Sequence, residues 1–339
     1  MISHHSKIYI AVTVIIVAVI LLGIGIFNLV SSGKKSPVSE PEEKVEQGVN
    51  YRHPLSGQPV EAPVENFFAV AIMFDNAYDS RPQYGLDQAD IVYEALAEGN
   101  ITRIMGIFDS QKNIEKIGPV RSARLYFMDM AGEYGGVYMH VGGAPNALAK
   151  RGAYSFSDVD QIGAGEIYFW RDNDLSAPHN VFTSSANWLR AGDIKEVPKF
   201  SINRNWNFTV GENATITDLT IDYNGPYKVD WKYNDKLGAY MRWQGDDKFI
   251  YHTGEQVRAE NVIVQVLSSK IVDNKDRREM DTQSGGQVFI FNKLGQQNGR
   301  WEIVDGRTLF FDENKNELKL APGRSWVQII PAADYLISR

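Results

Sequence analysis

The 339-residue chain contains no cysteine. That excludes a disulfide framework, a thiolate nucleophile and any cysteine-ligated metal centre, and it suits either side of a membrane. A surplus of positive charge is also missing. The formal net charge of −7 argues against a general nucleic-acid binder, which carries a basic excess or patch, so no nucleic-acid partner is expected. There is no solenoid-type repeat, no low-complexity tract outside one linker, no full dinucleotide fingerprint and no short metal-ligand spacing. Neither a metal nor a cofactor is therefore expected.

What the chain does have is one long apolar run. Ile8–Val30 ("IYIAVTVIIVAVILLGIGIFNLV") is broken only by Thr13 and Asn28. As a helix it would reach about 35 Å, enough to cross a hydrocarbon core of about 30 Å. A cleaved signal peptide has a shorter apolar region and a small-residue cleavage site, for which "NLVSSGKK" is a poor match. Residues 1–7 are thus read as a tail, 8–30 as a transmembrane anchor and 31–50 as a polar, disordered linker. Lys7 precedes the run, whereas Lys34, Lys35 and Lys44 follow it, and this count leans towards a cytoplasmic body. A short tail before a first span equally suits a signal anchor whose body is exported.

From Phe67 onwards apolar strands alternate with helical patterns, which predicts an α/β domain over residues 51–198 with helices on the faces of its sheet. "FFAVAIMFDN", "ITRIMGIFDS", "GVYMHVGG" and "EIYFWRD" are the expected strands. "GLDQADIVYEALAEGN" is expected to be a helix, because Ala89, Val92, Tyr93 and Leu96 share one helical face and Gly99 follows as a stop. "RSARLYFMDMAGEY", "PNALAKRGAY" (with Pro145 opening it) and "ANWLRAG" (capped by Ser184 or Ser185) are the other helices. Residues 199–214 form a connector. Residues 215–339 consist of short strands separated by Gly/Asn/Asp turns, which predicts a β-rich second domain of barrel or sandwich type.

Several residues have the chemistry for a site. Arg121 and Arg124 stand i,i+3 at the start of a predicted helix that is apolar nearly all round. A helix N-terminus favours anions, and a buried guanidinium requires a partner, so these two arginines demand a negative group. Internal candidates are Glu94 and Glu98, and Arg103 or one of the two helix arginines could neutralise the latter. On the predicted helix Asp87, Asp90, Glu94 and Glu98 line one side, and Glu98 falls at the C-terminus, where a carboxylate is disfavoured. The external alternative is a phosphate or carboxylate ligand, which arginine forks match well. His140 ends a strand before the turn formed by Gly142 and Gly143, a place where backbone N–H groups can face a ligand. Arg171, Asp172, His179 and Asn180 come from "FWRDNDLSAPHNVFT", with His179 as an acid or base that Asp172 could orient. Asp75 and Arg81, in "FDNAYDSRPQYG", are a further acid/base and ion-pair candidate.

Three stretches, "DNAYDSRPQYGLDQADIVYEALAEGNITRIMGIF", "KIGPVRSARLYFMDMAGEYGGVYMHVGG" and "FWRDNDLSAPHNVFT", together resemble the YerB-like family of bacterial lipoproteins. Later segments, "YMRWQG", "GEQVRAENVIVQV" and "LAPGRSWVQIIP", resemble that family's C-terminal domain, so the likeness runs over roughly residues 54–335. The resemblance implies a membrane-attached, extracytoplasmic, two-domain protein, and it brings no established activity. Family members commonly carry a lipid on a cysteine, which this chain lacks; the apolar run would take its place as a single-pass anchor in the cell membrane. The expected function is binding of an anionic cell-envelope ligand through Arg121, Arg124 and Arg171, with His140 and His179 for proton transfer in a hydrolase or transferase. The alternative is a non-catalytic envelope scaffold that meets a protein partner.

Overall fold

The computed structural model describes residues 51–199, 205–211, 215 and 217–338. The expected anchor at 8–30 and linker at 31–50 lie outside them, as does part of the connector. Among the described residues no helix is long and apolar enough to cross a membrane.

In chain order the principal elements are β1 (Ala69–Phe74), β2 (Ile91–Leu96), β3 (Thr102–Asp109), α1 (Leu125–Gly132), β4 (Val137–His140), α2 (Pro145–Lys150), β5 (Ser157–Asp160) and α3 (Ser185–Ile194). There follow β6 (Leu219–Ile221), β7 (Val229–Asn234), β8 (Ala239–Gln244), β9 (Asn261–Val266), β10 (Gly286–Asn292), β11 (Gly295–Val304), β12 (Arg307–Phe311), β13 (Ser325–Ile330) and β14 (Leu336–Ser338). Sheet dominates, helices are few, and the later part is β-rich, in keeping with the predicted class.

The predicted helix over 85–100 is instead strand β2, with a single 3-10 turn at Leu86–Gln88 before it. Every residue of β2 is buried, so no polar alternation marked it as a strand, and the 89/92/93/96 spacing matched a helical face by coincidence. Gly99 and Asn100 both have positive φ, at 57° and 62°, and form the tight turn that sends β2 into antiparallel β3. The feature taken for a helix stop is therefore a hairpin turn. The predicted strand at "EIYFWRD" is mostly irregular, with only Trp170–Arg171 paired, to Val181–Phe182. Conversely β5, in the polar stretch "SDVD", was not anticipated.

Ten strands form one sheet in the order β12-β11-β10-β9-β13-β2-β3-β1-β4-β5. Strand β13, from the far end of the chain, lies between β9 and β2 and runs parallel to both. The strands of residues 261–330 thus extend the sheet begun by residues 69–160, and residues 50–339 form one compact unit. The second sheet, with β8, β7, β6 and β14 in that order, packs across one face of the large one. That face is apolar through Val70, Ile72, Val92, Phe108 and Val264, and it meets Trp231 and Tyr240 of the second sheet and Trp188 of α3. The opposite face, with Ala71, Met73, Tyr93, Met105 and Val327, is covered by Tyr126, Phe127 and Met130 of α1 and by Trp206 of the connector. A sheet covered on both faces needs strands that are apolar throughout, as β1 to β3 are.

Because β13 joins the two parts of the large sheet, a chain ending at Arg324 is expected not to fold. The check is far-ultraviolet circular dichroism with thermal melting. Loss of the cooperative transition is the expected result, and a truncated chain that melts cooperatively with native sheet signal contradicts the topology.

Candidate functional site

Two adjacent side chains at the carboxyl end of β1 point into different networks. Asn76 reaches inwards, towards Glu94. Asp75 reaches a surface loop.

Glu94 lies in the middle of β2 on the face between the two sheets, with no solvent exposure. Nη2 of Arg242, from β8 of the second sheet, lies 2.9 Å from each of its oxygens. Gln328 donates at 2.7 Å and Trp326 at 3.0 Å from the neighbouring β13, and Thr102 donates at 2.8 Å from β3. Asn76 adds a longer bond at 3.4 Å. A carboxylate away from water requires this density of donors. Arg242 is also fully buried, its guanidinium 4.0 Å from the centroid of the Phe249 ring and 5.1 Å from that of Trp326. Burial lowers the Arg242 guanidinium from its ordinary value, and Glu94 opposes that shift. Sequence reading missed Arg242, Trp326 and Gln328. The available signal was the alternation in "AYMRWQ", which buries Tyr240, Arg242 and Gln244 on one face of β8.

Arg121 and Arg124 do not share a helix face. Arg124 is the N-cap of α1, with extended φ and ψ, and Arg121 lies in the extended chain before it. That chain threads between strand ends: Arg121 N–H donates to the Met73 carbonyl at 2.9 Å, and Val141 N–H donates to the Arg121 carbonyl at 3.0 Å. Arg124 pairs with Glu98, and Arg103 pairs with the same carboxylate at 3.4 Å. Glu98 sits at the hairpin turn rather than at a helix end, so the helix dipole does not act on it. Both arginines are nearly buried and paired inside the protein, with Nε of Arg124 left without a hydrogen-bond partner among the described residues.

Arg121 pairs with Asp75 instead, Nε to Oδ2 at 3.0 Å. His179 meets the same oxygen, Nδ1 to Oδ2 at 2.7 Å, and Ala77 N–H donates to Oδ1 at 3.0 Å. Asp75 is buried, whereas the side chains of Arg121 and His179 are 24% and 21% exposed, so both can meet a solute. The loop that delivers His179 is held by Asn180, whose amide donates to the carbonyls of Asp172 at 3.2 Å and Leu175 at 3.3 Å and accepts from Arg171 at 2.8 Å. Asp172 does not orient His179. It pairs with Lys116 at 2.6 Å, and this hydrogen bond holds its carboxyl below the ordinary range. With Nδ1 turned to Asp75, Nε2 is the ring nitrogen left without a partner among the described residues.

His140 stands apart. It is fully buried at the end of β4, with Nδ1 2.8 Å from the Gly142 carbonyl and Nε2 2.9 Å from Asp158. Gly142 has a φ of 56°, and its N–H is taken by Asp160 at 2.7 Å. Gly143 is bridged to Ala123. Of the donors expected at this turn, the Gly142 N–H is thus committed to β5, the strand that sequence reading overlooked, and the following Ala144 N–H donates to the Ala123 carbonyl at 3.1 Å. Arg81 donates to Asn76 at 3.1 Å and 2.8 Å and belongs to neither histidine. Among the described residues no group of three or more His, Asp or Glu side chains is arranged to hold a metal ion.

Comparison with known proteins places this geometry in a wider set. Residues 55–197 match the description "Protein of unknown function (DUF3048) N-terminal domain", and residues 219–327 match the corresponding C-terminal domain. The chain is 31% identical over 317 residues to the "Putative lipoprotein YerB" of Bacillus subtilis (strain 168), covering 91% of this chain and 93% of that protein. The crystal structure of YerB from Bacillus subtilis superposes with a TM-score of 0.78 at 30% identity, covering 85% of this chain and 99% of that one.

The pairing scheme separates structural arginines from available ones. Arg124→Ala leaves Arg103 as the remaining partner of Glu98 but removes a nearly buried side chain with its bond to the Ala123 carbonyl, and is expected to lower stability by about 1–2 kcal/mol. Arg171→Ala, on an exposed side chain, is expected to change it by less than about 0.5 kcal/mol. Urea denaturation measures both, and equal effects would contradict the assignment.

Proposed function

We propose that this chain, which belongs to the DUF3048 family through both of its domains, binds an anionic envelope ligand where Arg121, Arg171 and His179 reach the surface. The supporting observation is the contact of His179 Nδ1 with Asp75 Oδ2 at 2.7 Å, beside an arginine on the same oxygen. Asp75 fixes the ring, and Arg121 supplies positive charge next to it. A phosphate or carboxylate docked on Arg121 would lie within reach of the free Nε2. The nitrogen can take a proton from water or from a ligand hydroxyl, a contribution of about 10²–10⁴-fold where hydrolysis or transfer occurs.

The scaffold reading also has a specific support. Arg124, Arg103 and Glu98 close on one another, and both nitrogens of His140 are spent on internal acceptors. In this reading Arg124, Arg103, Glu98 and His140 serve the fold, whereas the Asp75–His179–Arg121 group reaches the surface.

For location, we propose a body outside the cell membrane. The named relative is described as a lipoprotein. Since this chain has no cysteine to carry a lipid, the apolar run at 8–30 is assigned as its single-pass anchor.

Thermal shift of the full chain with inorganic pyrophosphate and with glucuronate tests the binding reading. A rise in Tm with either anion that disappears in Arg121→Gln is expected. No rise with either, or a rise that persists in the variant, contradicts it.

A further inference from the structure

A second opening lies between the Tyr78–Pro82 segment and the turns of the smaller sheet. It is a cleft of about 830 Å³, within the usual size of a small-molecule site. Its charge accounting differs from that of the Arg121 group. Arg81 lines it, and among the described residues no carboxylate pairs with this guanidinium. Its Nε and Nη2 donate to the side-chain and main-chain oxygens of Asn76, which are neutral. Glu94 is an internal carboxylate that acts on it, and Glu94 already holds Arg242. Two guanidiniums therefore share one carboxylate, and an uncompensated, largely desolvated cation favours an added anion.

The guanidinium is also fixed in orientation. Its central carbon lies 5.4 Å from the Tyr227 ring centroid and 5.5 Å from that of Phe249. The Asn76 oxygens take Nε and Nη2, and the Tyr227 ring stands beside the same guanidinium, so its neighbours here are neutral groups. Beside it, Gln244 is 5% exposed, lines the same cleft and has an Nε2 donor without a partner. A buried amide left with an open donor is costly unless something accepts from it.

The rim has the opposite sign. Asp222, Asp246 and Asp247 line it together with two lysines, of which Lys228 is paired with Asp230 at 3.5 Å. Tyr78, which is 76% exposed, and Pro226 give it apolar surface. A ligand matching all three features has a carboxylate, an apolar body and a cationic group.

We propose that this cleft binds a short peptide with free ends, its carboxylate on Arg81 and the Gln244 amide and its ammonium at the Asp222, Asp246 and Asp247 rim. The carboxylate meets a preset donor fork, the body lies against Tyr78 and Phe249, and the ammonium is drawn by the acidic turn. The site is independent of the Asp75–His179 pair.

Isothermal titration calorimetry of the full chain with the peptide Ala-Phe-Ala tests this. Saturable binding is expected. The C-terminal amide and the N-acetylated form of the same peptide should each bind at least about tenfold more weakly, equivalent to about 1.4 kcal/mol. Arg81→Gln should remove binding, and the double variant Asp246→Asn/Asp247→Asn should weaken it. Absence of heat with Ala-Phe-Ala, binding unchanged by capping either end, or binding of orthophosphate alone overturns the proposal. Should Arg81→Gln not fold, the capped peptides on the unmodified chain still decide.

Discussion

Glu94 and Arg242 are each completely buried, and each comes from a different sheet. Taking both charges out of water is costly, and the cost is offset only if the partners and all the secondary donors are in place. Here the secondary donors come from three more positions: Thr102 on β3, and Trp326 and Gln328 on β13. The correct register of β2 against β13, the docking of the second sheet and the burial of two tryptophans are therefore conditions of one another. Gln328 stands directly opposite Glu94 in the ladder, so a one-residue slip would turn its donor to the other face. Removing either partner would leave an uncompensated buried charge, so the pair ties the two sheets to one arrangement.

The same centre organises the surface. Asn76 ties it to the end of β1, where Asp75 turns outwards to His179 and Arg121. Arg81 leans on Asn76 from the other side and inherits a shortage of negative charge, because Glu94 is fully committed to Arg242. Of the two arginines that look most demanding in the sequence, Arg124 is nearly buried against Glu98, and Arg121 is paired with Asp75 yet still reaches solvent. Arg81, which stands in a turn, has no carboxylate partner among the described residues. Which cation remains available is decided by long-range partners, and no local pattern reveals it.

What could be read from sequence follows the range of the interactions. The apolar strands β1 and β3, helix α2 opened by Pro145 and the β-rich later half are set by local composition and were legible. Strand β2 was not, because burial on both faces removes the polar alternation that marks a strand. His179 and Asp75 were legible as separate candidates, but their contact spans 104 residues and Asp172 was the nearer choice. Arg242 and Glu94 are 148 residues apart, and nothing near either residue announces the other. The merging of both halves into one sheet depends on the insertion of β13, an equally non-local event. The family resemblance anticipated the two-domain class without supplying any of these contacts.

A double-mutant cycle on Glu94→Gln and Arg242→Met, with stabilities taken from urea unfolding of the full chain, measures whether the two sheets are tied through this pair. Each single change is expected to cost about 3–5 kcal/mol, with a coupling between them above about 2 kcal/mol. Single changes that add within about 0.5 kcal/mol would show that the two side chains act separately, and would contradict that tie.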